Sequence, residues 1–403
     1  MKNISDVQNS GFCCGCGGCS NIFKDITMEY DKQGNLRPST TRGFYGLNSN
    51  IYEKICPAIN TYELNKNSEG NNHEIWGEYY DLVMGYSTNK KIRHESSSGG
   101  GITGILAYLM ETNKVDAVIH IGVSKTNPIK NELKISRNLN EIISNAGSRY
   151  SPSAPLEKIE EILLEEEKFA FVGKPCDIVA LRNYTNLNEV AKRKIKYMIS
   201  FFCAGTPSIK GTEQILQMHS VDKKNVKSFR YRGEGWPGDT KIVTNEGKEF
   251  KMSYDDSWGK ILNRYLPKRC KLCPDGIGEA ADIVCGDAWF GDENGYPVFE
   301  EKEGRSLIIS RTLIGKSILK DSIKNGYINI SEGLKIEQLK QIQPYQFSRK
   351  ASLKYRLLAM KLCFKDTPDY DKSILNRAGV HISSKEKLKS FLGTFRRVIQ
   401  GKL

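Results

Sequence analysis

Apolar and polar positions follow two rhythms along the 403-residue chain. VDAVIHIGVS (Val115 to Ser124) and FAFVG (Phe169 to Gly173) are short apolar runs bounded by turn residues, which predicts strands. LEKIEEILLEEE (Leu156 to Glu167) repeats its apolar residues at helical spacing, as does the stretch after Gly100 in SSSGGGITGILAYLMET. Strand-like and helix-like segments alternate from about Trp76 to Lys335, which predicts an α+β fold with an α/β-like core over 76–335. The polar run NKNSEGNNHE (Asn65 to Glu74) predicts a linker between this core and residues 1–65. Residues 343–403 read as a basic, mostly helical tail. Its last segment places Leu388, Phe391, Leu392, Phe395, Val398 and Ile399 on one face, with Lys385, Lys387, Arg396 and Arg397 elsewhere. Such a helix packs on its own domain or makes peripheral contact with a membrane or partner.

Composition narrows the class. A chain that is 39% hydrophobic, with no apolar run long enough to span a bilayer and no apolar leader after Met1, is expected to be cytoplasmic. A formal charge of +13 suits an anionic partner, whether a nucleotide cofactor, an acidic protein, nucleic acid or a lipid surface, and equally suits a solvated lysine-rich exterior. Eleven cysteines beside five scattered histidines point to reduced thiols and thiolate-only metal coordination.

FCCGCGGCSNIF (residues 12–23) sets four cysteines in seven positions. Cys13, Cys16 and Cys19 form C-x2-C-x2-C, the spacing that wraps three corners of a cubane iron–sulfur cluster, and the interleaved glycines let the backbone curl close to the sulfides. The Cys-Pro expected shortly afterwards is replaced by Phe23, and Cys56-Pro57 supplies it from a distance. One 4Fe-4S cluster on Cys13, Cys16, Cys19 and Cys56 follows, with Cys14 left as a packed thiol; a four-thiolate zinc site is the plain alternative. The segment thus predicts a small ferredoxin-like module held by metal rather than by a core.

Four more cysteines lie in turn contexts: GKPCD (Cys176), FFCAGTPS (Cys203) and KRCKLCPD (Cys270, Cys273). A C-x2-C pair needs two further thiolates, and Cys176 and Cys203 are the best candidates, while Cys285 and Cys363 read as structural thiols. The Ser96, Ser97, Ser98, Gly99, Gly100 loop opens into a helix whose serines can cap it and whose free amides can attract phosphate. GSRYSPS, with Arg149, Tyr150 and Ser151, is either a solvated loop or a contact for a second phosphate or a flavin edge.

SSSGGGITGILAYLM, GSRYSPS, VGKPCDIVALR, FFCAGTPS, RCKLCPDGIGEAADIVCGD and GRSLIISRT, taken in order, resemble the motifs of the coenzyme F420-reducing hydrogenase and dehydrogenase beta-subunit family over about residues 80–315. The resemblance implies an iron–sulfur flavoprotein oxidoreductase with FAD on an α/β core and a 4Fe-4S cluster on Cys176, Cys203, Cys270 and Cys273. It lends Ser96 to Gly100 and Arg149 to Ser151 a flavin-binding role. The implied activity passes electrons between two 4Fe-4S clusters and FAD, with hydride exchange to coenzyme F420 or another small substrate and an electron-carrier protein such as ferredoxin as partner. The extra N-terminal cysteines and the long tail depart from the methanogen proteins, and related chains in bacterial polysaccharide gene clusters leave the substrate open. A zinc-stabilised nucleic-acid-binding protein is the rival reading, opposed by the lack of aromatic and basic residues interleaved among the cysteines.

Overall fold

Eight strands of the central segment pair into one mixed sheet because their apolar residues have both faces to bury. They are β1 (Asp81–Ser87), β2 (Ala117–Val123), β3 (Asn131–Ser136), β4 (Phe169–Val172), β5 (Ile195–Phe201), β6 (Ile283–Asp287), β7 (Ser306–Ser310) and β8 (Ile328–Gly333). This computed structural model describes residues 1, 3–44, 50–60, 69–291 and 297–403. The spatial order is β8-β1-β7-β6-β5-β4-β2-β3. Strands β2, β4, β5 and β6 run parallel, and the other neighbours pair antiparallel.

Period-two alternation sorts the sheet's side chains between two layers. Val118, Ala170, Ile199 and Ile308 meet Ile105 and Leu109 of helix α1 (Gly101–Glu111). Their neighbours Ile119, Phe171 and Met198 meet Ile178 and Leu181 of helix α2 (Pro175–Thr185) on the other face. The strands expected at 115–124 and 169–173 are present. The helix expected over 156–167 is reduced to Ile159–Ile162. Lys194 Nζ reaches the carbonyls of Leu163 (2.9 Å) and Glu165 (2.7 Å), so the chain turns where helical periodicity alone would have continued.

The N-terminal segment contains short helices Ile4–Asn9, Gly18–Ile22 and Asn50–Ile55 and a hairpin of Thr27–Tyr30 with Leu36–Ser39. It shares the main core: Cys16 and Ile55 pack among Leu156 and Ile178. Backbone bonds Leu156 N to Cys16 O and Ile209 N to Gly34 O, both 2.9 Å, tie it down. Burial therefore holds this segment alongside whatever its thiols bind. Of the expected linker, residues 65–68 lie outside the described residues, and Asn71–His73 pairs with Gly77–Tyr79 as a ribbon.

Helix α3 (Pro344–Leu362) also joins the core. Phe347 and Ala351 contact the Trp76 and Leu307 cluster, and Leu353, Leu357 and Met360 contact Val7, Phe12 and Leu272. Helix α4 (Ser384–Ile399) buries Thr394 and Val398 and leaves Leu388, Leu392 and Ile399 exposed. Among the described residues, no helix is long and apolar enough to cross a membrane.

Asp282, at the start of β6, knots the layers. Its buried carboxylate accepts from Met198 N (2.8 Å), Arg182 Nη2 (3.0 Å) and Thr312 Oγ1 (2.9 Å). Removing one partner strands the others, so Asp282→Ala is expected to cost about 3–5 kcal/mol. Thermal unfolding should show a clear fall in Tm, larger than for Asp282→Asn; an unchanged Tm would contradict this account.

Candidate functional site

In open sheets, ligand crevices lie outside the carboxyl ends of the parallel strands. The carboxyl ends of β2, β4, β5 and β6 open on such a crevice, a cavity of about 260 Å3. The loop Ser96–Ser98, the turn Arg149–Ser151 and residues just past β4 and β5 also line it.

The serines do not cap α1. Its N-cap is Gly100 at φ +72°, a left-handed turn that carries the chain from the loop into the helix. Ser97 Oγ instead accepts from Ser148 N (2.5 Å), and Ser98 Oγ donates to Arg305 O (2.8 Å). Ser96 Oγ is buried without a partner. Such an orphan in a cavity wall fits a polar ligand. Gly99 stands outside the wall, pressed on β7, where a Cβ would come within 2.6 Å of Ser306 N.

Arg149 lines the cavity, yet its guanidinium is committed to Asn131 Oδ1 (2.8 Å) and the carbonyls of Phe229 (2.9 Å), Pro128 and Lys130 (3.1 Å each). It holds loops together. The cation that sequence reasoning missed is Arg232, buried in the same wall, paired through both oxygens of Asp287 at 3.0 Å and bonded to Ser97 O (2.6 Å). Only its place in an RYRGEGW run, without cysteines or a phosphate-loop pattern, could have flagged it. His120, also in the wall, bonds Ser136 Oγ through Nε2 (2.7 Å), and burial lowers its pKa to about 4, leaving it neutral near pH 7.

Two smaller cavities, about 40 and 30 Å3, are ringed by thiols. Cys13, Cys16, Cys19 and Cys56 surround one; Cys176, Cys203, Cys270 and Cys273 surround the other. Strand geometry explains the second set, since Cys176 opens α2 after β4 and Cys203 follows β5 at the same edge. Cys14 is no bystander: with Cys13 it lines both cavities, and its thiol bonds those of Cys16 and Cys176. Cys285 is buried in β6 at the large cavity, and Cys363 is half-buried at the end of α3. The second thiol cavity in turn shares Ser153, Lys174, Cys203, Gly205 and Thr206 with the large one.

No three described His, Cys, Asp or Glu side chains converge closely enough to hold a single ion. Four thiols around each void supply the donor set of a thiolate-held metal centre. Charge in the second wall agrees: Arg269 and Arg349 are buried there and, among the described residues, have no carboxylate partner, and Arg269 Nε has no hydrogen bond. An uncompensated buried cation is costly unless an anion sits beside it. Burial pushes the Cys56 and Cys203 thiols up to about 12 and raises Cys13 and Cys270. Lys174 is bonded to Asp177 Oδ1 (2.5 Å); burial opposes its charge, but Asp177, Cys176 and Cys14 outweigh that and raise its pKa.

Two family models cover most of this architecture. Both describe the "Coenzyme F420 hydrogenase/dehydrogenase, beta subunit": the one for its N-terminal part matches residues 82–160, and the one for its C-terminal part matches residues 166–335. The chain is 26% identical over 365 residues to the coenzyme F420-dependent sulfite reductase of Methanocaldococcus jannaschii, covering 86% of this chain and 50% of that protein. It therefore spans half the length of that relative. It is 25% identical to the coenzyme F420 hydrogenase subunit beta of Methanothermobacter thermautotrophicus, covering 66% of this chain and 88% of that one. A chain of the F420-reducing [NiFe] hydrogenase complex from Methanosarcina barkeri shares the fold, with a TM-score of 0.55 at 20% identity over 72% of this chain and 96% of that chain.

Raised thiol pKa values mean that protons compete with metal for sulfur. Incorporation of iron and sulfide into metal-free protein should accelerate between about pH 7 and about pH 9, as thiolate becomes more available. An iron-uptake rate that is flat or falling over that range would show that these thiols are not the acceptors.

Proposed function

Since the chain belongs to the coenzyme F420 hydrogenase/dehydrogenase beta-subunit family of oxidoreductase subunits, we propose that it is an iron–sulfur flavoprotein that passes electrons between two 4Fe-4S clusters and FAD, exchanging hydride with coenzyme F420 or another small redox substrate. The observation that carries this reading is the series of three cavities with shared walls: two ringed by cysteines, then one large enough for an organic cofactor. Cys13, Cys16, Cys19 and Cys56 would hold the first cluster, with the segment around them serving the ferredoxin-like role. Cys176, Cys203, Cys270 and Cys273 would hold the second. Ser96, Ser97, Ser98, Gly100, Tyr150 and Ser151 would meet the flavin, which supplies the exchange between two-electron hydride chemistry and single-electron transfer.

The chain's own residues do the rest by position and charge. Ser96 offers a buried hydroxyl, and the first turn of α1 presents the positive end of its dipole to the cavity. Arg232, fixed by Asp287 and Ser97, places a cation in the same wall. Lys174 and Asp177 stand where the second thiol cavity meets the large one, a charged partition in place of solvent. A one-electron carrier protein such as ferredoxin is the partner this chemistry calls for. Helix α4 sets exposed Leu388, Leu392 and Ile399 beside exposed Lys385, Lys389 and Arg396, which favours peripheral contact with an anionic membrane.

Protein purified without oxygen should show flavin bands and a broad cluster absorbance that dithionite bleaches. A colourless protein containing zinc would end the redox reading. Cys273→Ser is expected to remove about half the iron while the N-terminal cluster stays readable by EPR, as two independent thiolate-held clusters require; full iron content would show that the second quartet is misassigned. Replacing Lys385, Lys389 and Arg396 together with Gln should abolish co-sedimentation with phosphatidylglycerol vesicles, and wild-type protein that stays in the supernatant would rule the contact out.

A further inference from the structure

The two thiol cavities differ in one respect that their cysteine counts hide. Among the described residues, charged side chains crowd the wall of the second and none lines the first, although Arg37 of the second wall also reaches the Cys13 thiol. We propose that Arg349, with Arg269 in the same wall, makes the Cys176, Cys203, Cys270 and Cys273 site the better home for an electron than the Cys13, Cys16, Cys19 and Cys56 site, so that electrons run from the N-terminal cluster inward to the large cavity. The inference rests on the two-cluster reading above.

Arg349 comes from α3 and is 3% exposed. Its guanidinium is held by Cys203 O and Gln346 Oε1 (2.8 Å each) and by Ala204 O (3.2 Å), all neutral acceptors. Arg269, 4% exposed, bonds the Tyr370 hydroxyl and Pro57 O, again without a carboxylate. Lys174 is matched by Asp177, and Arg37, in the second wall beside Cys13, is matched by Asp31 at 3.6 Å. Asp275 supplies one opposing negative charge, which its bonds from the amides of Ile277 (2.9 Å), Gly278 (2.8 Å) and Glu279 (3.1 Å) leave in place. With the paired charges set aside, two guanidiniums against the single carboxylate of Asp275 leave the described wall net positive. The first cavity is lined instead by apolar groups such as Ile4, Val7, Met28 and Ile55.

Amide donors do not reverse this ordering. Gly18 N reaches Cys16 Sγ and Thr206 N reaches Cys270 Sγ, each at 3.5 Å, so both cavities have them. Tyr52 adds a hydroxyl to Cys56 in the first. These are dipoles, whose potential falls faster with distance than that of a full charge, and cluster potentials follow net charge as well as hydrogen bonding. Arg349 faces the second group alone, held at Cys203 O, whereas Arg269 also reaches Pro57 O beside Cys56 and stands between the two cavities.

Each transfer oxidises the N-terminal cluster by one electron and reduces the second by one. The second cluster would return to its oxidised state by handing each electron to the flavin, and two such electrons with two protons from solvent would fully reduce it. A low-potential one-electron iron–sulfur protein restores the N-terminal cluster. Arg349 is a positioning residue in this scheme: it biases where the electron rests and touches no substrate.

An EPR-monitored redox titration of the full-length protein tests the proposal, with signals assigned by Cys56→Ser and Cys273→Ser. The second cluster should titrate at the higher potential. Arg349→Gln should lower that potential and leave the N-terminal one unmoved, and Arg349→Lys should restore most of the shift. An N-terminal cluster that titrates at or above the second in wild-type protein overturns the proposal, as does an Arg349→Gln variant that moves both equally. Failure of the underlying two-cluster reading is separately visible as wild-type protein lacking iron and sulfide for two clusters.

Discussion

Four parallel strands stopping at one edge of the sheet are the constraint from which the rest of the molecule follows. Their carboxyl ends all open at that edge, so the residues that end or follow them border the crevice. Lys174 and Cys176 follow β4, Cys203 follows β5, and Cys285 to Asp287 end β6. The sheet itself is tightly filled, with Val118, Ile119, Phe169 and Ile308 fully buried, and the large cavity opens at this edge.

Burying thiols brings a second demand. Sulfur in a low-dielectric wall keeps its proton unless a cation or a metal displaces it. The chain answers unevenly: guanidiniums stand over the second group of cysteines, while glycines, aliphatic side chains and Tyr52 surround the first. Neighbouring groups of four cysteines thus stand in different surroundings.

Sequence spacing marked both groups of cysteines, the two apolar strands and the loop before α1, because each depends on residues close together in the chain. It missed what depends on distant contacts. Arg349 stands in a stretch that reads as part of a basic tail, and nothing local says that helix α3 turns it inward against Cys203. Arg232 and Asp287 are 55 positions apart and meet only when the sheet closes. The expected helix over 156–167 is cut short by Lys194, a residue outside its window. Arg149 looks like a free cation in sequence and is a clasp for four loop acceptors in the fold, since a local pattern cannot show where carbonyls will point. The serines before α1 line the large cavity but do not cap the helix, because Gly100 takes the N-cap position.

The second thiol cavity gathers its wall from Cys13 and Arg37 near one end of the chain, from Cys176, Cys203 and Cys273 in the middle, and from Arg349 in α3. A ribosome that has not yet released α3 has made every one of these cysteines without the enclosure that shields them. On the two-cluster reading, metal delivery to this site is therefore a task for the finished polypeptide, and any stalled or truncated product presents bare sulfur to the cell's oxidants.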